Sequence, residues 1–169
     1  MRSMETMERP SVPGARARAL SAITAPPFIG NVVASLVGLN RAGERERLND
    51  ALVHFGKLFP YLSEPSPEAA LPEELRFVEH YLRILEMRHG KRFGFRIGVE
   101  SDTAGIRRFG LFEAVEALAR TGLRDGTGAV RISIESGSAR GGGRPSSIRV
   151  RMTGEGIPSA ETVLRLRSS

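Results

Sequence analysis

Read as a string of apolar and polar positions, the chain changes its period near residue 93. Before that point apolar residues recur at helical spacing. Between residues 44 and 62 they fall at Leu48, Leu52, Phe55, Phe59 and Leu62, steps of four, three, four and three, a heptad-like seam that calls for a partner helix. Residues 63–67 break the pattern. Pro72 with Glu73 and Glu74 then suits the first turn of a helix reaching His89: the proline sits where no N–H is needed, and the carboxylates lie at the positive dipole end. Leu75, Phe77, Val78, Tyr81, Leu82, Ile84 and Leu85 cover more than half of that helix and predict packing on two sides. Upstream, residues 15–39 read as one helix interrupted by Pro26 and Pro27. Residues 1–14 read as a loose tail.

After residue 93 the period becomes two. Phe93, Phe95, Ile97 and Val99 alternate with Gly94, Arg96, Gly98 and Glu100, and the same alternation returns at Val130, Ile132 and Ile134 and at Ile148, Val150 and Met152. Residues 106–122 read as a helix with Leu111, Val115, Leu118 and Ala119 facing inward. The glycine-rich residues 136–147 read as a flexible connection between antiparallel strands, and residues 157–166 as a short terminal helix. The expected fold is α+β, a helical hairpin followed by helices on one face of a small antiparallel or mixed sheet.

Composition narrows the chemistry. The 169 residues are 40% apolar and 26% charged, within the globular range, and contain no cysteine, which removes disulfides and thiolate metal sites. Three scattered histidines, His54, His80 and His89, make no zinc constellation. With acidic residues near the start and apolar stretches read as too short to span a bilayer, the expectation is a cytoplasmic chain with no membrane segment. The net charge of +6 would suit nucleic acid, yet the arginines are scattered and no recognition motif accompanies them.

The third helix and the strand start after it, Glu73-Glu74-Leu75-Arg76-Phe77 through Tyr81-Leu82-Arg83-Ile84 to Arg88-His89-Gly90, resemble the core E-E-L-x-F-x-x-x-Y-L-x-I-x-x-x-R-x-G of LytS-like sensor histidine kinases. That resemblance implies a dimerisation and phosphoacceptor hairpin over residues 15–64 and a GHKL-type ATPase-like domain over residues 68–169. The family's phosphoacceptor motif, N-P-H-F-x-F-N, aligns with Ala25-Pro26-Pro27-Phe28-Ile29-Gly30-Asn31. Pro26, Phe28 and Asn31 fit, and Pro27 stands where the histidine belongs. Proline has no side-chain nucleophile for a γ-phosphate, and Thr24 has no adjacent base.

The resemblance also aligns the family's L-V-E-N-A-x-K-H-G box with residues 114–122. Glu116, Arg120 and Gly122 fit, and Ala117 replaces the asparagine that holds Mg²⁺. The D-x-G-x-G box falls on Met152-Thr153-Gly154-Glu155-Gly156, with Met152 in place of the adenine-binding aspartate and little length left for a lid. The resemblance, with these departures from it, implies a degenerate kinase-like module with no catalytic residue and no ATP or Mg²⁺ cofactor. Glu116, Arg120, Gly154 and Gly156 would remain as a vestigial nucleotide pocket. Such a module would form a homodimer through Leu48, Leu52, Phe55, Phe59 and Leu62, with a response regulator or a true histidine kinase as partner.

Plainer readings stand beside each residue. Glu116 reads also as a solvated helix residue, Gly154 and Gly156 as turn glycines, the seam as packing within one subunit, and the histidines as structural. Two other functions remain open. An atypical kinase or phosphotransferase would carry acid-labile phosphate on His54, His80 or His89, and a basic nucleic-acid-binding module would lose affinity steeply with salt.

Overall fold

Proline placement divides the helical half of the chain. The computed structural model describes residues 12–99, 104–137 and 146–167. Helix α1 (Val12–Thr24) ends at Ala25, whose ψ of 134° turns the backbone out of the helix, and α2 (Pro26–Arg41) starts afresh with proline in its first turn. A missing N–H costs nothing there. The single interrupted helix expected from the sequence is therefore two helices. Of the expected tail, residues 1–11 lie outside the described residues, and the rest opens α1.

Gly43, at φ +73°, reverses the chain into α3 (Arg45–Gly56). Pro60 cannot donate to the Gly56 carbonyl and its ring crowds that group, so the helix breaks at Lys57 and resumes as α4 (Leu58–Ser63). The break also cuts the heptad-like seam. Leu52 and Phe59 remain 49% and 41% exposed, Phe55 packs against the core and meets Phe59 edge-on, and Leu62 is only 2% exposed. The expected continuous stripe is thus corrected, since Leu62 belongs to this chain's own interior.

The apolar stretches also run longer than expected. The segment Gly14–Arg41 is long and apolar enough to cross a membrane by length and composition, with a mean hydropathy of 1.6 over its best window. Of that window 25% is buried, and Ala15, Ala19, Ile23, Phe28 and Val32 of the segment enter the same core as the sheet.

Helix α5 (Leu71–His89) follows the predicted periodicity and stops at Gly90, where φ is +53°. Strand β2 (Phe93–Gly98) pairs in parallel with β4 (Val130–Gly137), with α6 (Gly110–Asp125) forming the crossover. Strand β4 pairs antiparallel with β5 (Ser147–Gly154). The expected terminal helix is instead a strand, β6 (Ile157–Arg165), antiparallel to β5. Glu155 and Gly156, the latter at φ +77°, make a two-residue turn that folds the chain straight back, and Ala160, Thr162 and Leu164 then alternate inward. Two short strands not expected from the sequence, β1 (Glu68–Ala70) and β3 (Gly105–Arg107), pair ahead of α5 and α6. Of the expected flexible connection, residues 138–145 lie outside the described residues.

The mixed sheet, in the order β2-β4-β5-β6, carries α5 and α6 on one face, and α1–α4 lie over those two helices. One continuous core runs from Ala15 on α1 to Met152 on β5. Registers place Arg131, Arg149, Arg151 and Arg165 on the uncovered face of the sheet.

At the centre is a fully buried acid. Glu74, on the first turn of α5, accepts hydrogen bonds from the backbone N–H groups of Phe109 (3.0 Å), Leu111 (3.1 Å) and Phe112 (3.2 Å), and from the Tyr61 hydroxyl. It caps α6, not its own helix. Phe109 adopts a left-handed φ of 64° to start α6 beneath that carboxylate, which is why the helix begins at Gly110 and not at the predicted Ile106. Loss of water raises the Glu74 pKa, against the opposing pull of Tyr61 and the three N–H donors. Glu74→Ala leaves those donors and the Tyr61 hydroxyl without partners inside the protein and is expected to cost about 3–5 kcal/mol in urea unfolding. Glu74→Gln keeps one acceptor oxygen but turns its NH₂ toward at least one backbone N–H, and is expected to cost less than Glu74→Ala while still destabilising the fold.

Candidate functional site

The residues singled out by sequence fall into two places. At the start of α2, Pro27 occupies the first turn, and Phe28 turns inward to stack on Tyr81 of α5, with ring centroids 5.9 Å apart. The Arg88 guanidinium lies 5.4 Å from the Phe28 ring centre, and Asn31 is exposed. Phe28 is therefore an anchor fixing the α1–α2 bend on α5. Tyr81 is buried, and burial together with the nearby Glu116 charge raises its pKa, with Arg88 and Arg120 opposing. This links the start of α2 to the middle of α6.

On α6, Glu116 and Arg120 form an ion pair one turn apart, at 3.4 Å. Glu116 is half-buried beside Tyr81, and Ala117 points to solvent. An alanine methyl offers no oxygen to a hard cation. Leu111, Phe112, Val115, Ala119 and Gly122 form the buried side of this helix.

Gly154 and Gly156 lie elsewhere, in the β5–β6 hairpin beyond the C-terminal end of α6. The Thr127 N–H donates to the Glu155 carbonyl and the Glu155 N–H to the Ala129 carbonyl, so these groups tie the turn to the loop after α6. A side chain at Gly156 would strike the Thr127 hydroxyl at 2.6 Å. The plain reading of these glycines as turn residues is what their geometry supports.

Met152 is 1% exposed, on the inward face of β5. Its sulfur stands 2.5 Å from where a Cβ on Gly122 would be, and Val130 Cγ1 stands 2.8 Å from the same point, so the glycine makes room for the methionine. The position that the resemblance aligns with the acid of a D-x-G-x-G box is a piece of core. These residues do not fit a magnesium nucleotide: one position has no oxygen, another is packed solid, and the two glycines close a hairpin.

Two open clefts flank α5 instead. One, of about 1090 Å³, lies between α3, α5 and the edge strand β2 and is lined by Arg47, His54, Arg83, Lys91, Phe95 and Arg131. The other, of about 420 Å³, lies beside α4 and takes walls from Lys57, Tyr61, Arg76, His80 and Arg108. Neither takes a wall from Glu116, Arg120, Gly154 or Gly156. Sequence reasoning missed His54 and His80 as a pair. Their Nδ1 atoms meet at 2.8 Å across the α3–α5 contact, and a separation of 26 residues gives no local signal of it.

Residues 15–93 match the family model for histidine kinases. The match runs from α1 to the first residue of β2, so it takes in the Pro27 turn, both arms of the hairpin and all of α5. It supports a histidine kinase relationship and a role in two-component signalling. No curated protein matches the chain.

Met152→Asp is expected to place a carboxylate against Val130 and Gly122 and to destabilise the fold by about 3–5 kcal/mol without creating a nucleotide site. Thermal unfolding with and without ATP checks both halves of that statement.

Proposed function

We propose that the chain is a catalytically degenerate relative of the LytS-like kinase core, acting by protein–protein contact in two-component signalling. The observation that carries this reading is Met152 packed into the core where the family's adenine-binding acid would stand. Pro27 at the phosphoacceptor position and exposed Ala117 at the magnesium position point the same way. Without a nucleophile, a cation ligand or a pocket floor, phosphoryl transfer has nowhere to begin. What remains is shape, namely the hairpin and the surface it presents.

That surface is apolar where a partner would sit. Val33 and Val37, one turn apart on α2, Leu52 and Val53 on α3, and Phe59 on α4 are all more than 40% exposed. A second copy laid on this face would bury the patch in a bundle of paired hairpins. The interface of this proposal uses Leu48, Leu52, Phe55 and Phe59 with the α2 valines, and leaves out Leu62. A response regulator or a true kinase docking on the same hairpin would be sequestered by a copy that cannot pass on phosphate.

Calorimetric titration with ATP and ADP, with and without Mg²⁺, is expected to show no binding at millimolar nucleotide. Micromolar binding, or acid-labile phosphate on His54, His80 or His89 after incubation with ATP, would sink the degenerate reading. Sedimentation at micromolar concentration is expected to give a dimer, and Val37→Glu with Leu52→Glu a folded monomer. A monomeric parent chain would remove the dimer from the proposal.

A further inference from the structure

Helix α3 packs against α5 more than against any other element, and the polar centre of that crossing is a pair of imidazoles. The Nδ1 atoms of His54 and His80 are 2.8 Å apart, with ring centroids at 5.1 Å and planes tilted by 50°. His54 lines the cleft on the β2 side of the crossing and His80 the cleft on the α4 side, so the pair is the partition between the two. Water reaches it from both directions.

An Nδ1···Nδ1 contact at hydrogen-bond length allows one proton between the two nitrogens. With both rings neutral, one donates its Nδ1–H to the bare Nδ1 of the other. With a single imidazolium the bond persists and becomes charge-assisted. With two imidazolium rings, two N–H groups and two positive charges are aimed at each other, and no rotamer that keeps the contact relieves them.

We propose that the His54–His80 contact is a proton-operated latch, holding α3 against α5 at neutral pH and releasing it when the pair takes up its second proton. The surrounding charges set how hard that proton is to add. On α3, Asp50 favours protonation of His54, and Lys57 at the end of the helix opposes it. On α5, Glu79 favours protonation, Arg83 opposes it at His54 and Arg76 opposes it at His80. Glu79 and Glu86 are both engaged with Arg83, at 3.6 and 3.1 Å, which leaves Asp50 as the acid not tied to that arginine. Arg47 on the β2 side and Glu64, Glu73 and Arg108 on the α4 side line the same clefts at the margins.

Burial is the largest cause lowering the pKa of both rings below the ordinary histidine value, with His54 adding a further downward push on His80. The folded state therefore binds fewer protons than the unfolded chain below about pH 6.5. The contribution of the pair is complete above that pH and is lost as the pH falls through the lower folded values. Because the rings share a proton, they titrate in two coupled steps and not as independent groups.

The deciding measurement is hydrogen exchange of the α3 amides in the full chain at about pH 7.5 and about pH 5, corrected for intrinsic rates, together with NMR titration of the imidazoles. Protection around Ala51–Phe55 is expected to fall at least about tenfold at the lower pH, the effect of one added proton over one pH unit, while β4 and β5 amides hold theirs. The imidazoles of His54 and His80 should titrate in two separated steps. In the His54→Gln/His80→Gln variant the pH dependence of α3 should disappear, and in His89→Gln it should remain. Independent titration of both rings near the ordinary value with α3 protection flat would overturn the latch, as would an unchanged pH dependence in the double variant. If the double variant fails to fold, the imidazole titration of the unsubstituted chain decides alone.

Discussion

A carboxylate with no access to water, satisfied by the first turn of a helix more than thirty residues away, organises this molecule. Glu74 ties α5 to the start of α6, and its fourth donor, the Tyr61 hydroxyl, brings in α4. Burying a charge is tolerated only when its lone pairs find donors, so displacing any one of the three elements leaves a buried polar group unpaired. Around the acid the aromatic rings follow. Tyr61 stacks on Phe77 at 4.5 Å, and Phe77 meets both Phe109 and Phe112. Arg108, itself buried, lies 4.4 Å from the centre of the Tyr61 ring and donates to the carbonyls of Ser66 and Glu68. Through Tyr81, which touches Phe112 on one side and Phe28 on the other, the same cluster extends to the bend between α1 and α2.

This arrangement explains why the hairpin does not behave as an appendage. The expected boundary between residues 64 and 68 separates two stretches of sequence, but Ala15, Ala19 and Ile23 of α1 and Leu58 and Leu62 of α4 share a core with the sheet. Arg18 of α1 further pairs with Glu113 in the first turn of α6 at 2.5 Å. A partner that pulls on the hairpin therefore pulls on the helix that covers the sheet.

How much of this could be read beforehand depended on whether one element could declare itself. Helix α5 and strands β2, β4 and β5 each bury one face, or most of a circumference, and their apolar spacing gave them away. Strand β6 alternates weakly, with Ala160 and Thr162 inward and Val163 exposed, so its pattern passed for a helix. Strands β1 and β3 are three residues each, too short for a period. The seam on α3 and α4 was legible as spacing, but Pro60, which cuts it, acts through backbone geometry that spacing does not register. Glu116 and Arg120 are adjacent, as i,i+4 spacing allows. The glycine pair expected beside them is a hairpin, because G-x-G marks a turn as readily as a phosphate cradle. The capping by Glu74 and the pairing of His54 with His80 depend on tertiary placement and left no local trace.

The fit of Met152 over Gly122 bears on reversibility. The methionine occupies the space that a side chain at 122 would need, and Val130 presses on the same point. An aspartate at 152 would be a buried charge in a hole shaped for a thioether, and a larger residue at 122 cannot enter while the methionine stays. Each position makes the other's replacement harmful, so neither a charged residue at 152 nor a larger one at 122 can enter singly without passing through a less stable protein. Packing of this kind acts as a ratchet: selection for stability alone is enough to hold the two positions as they are.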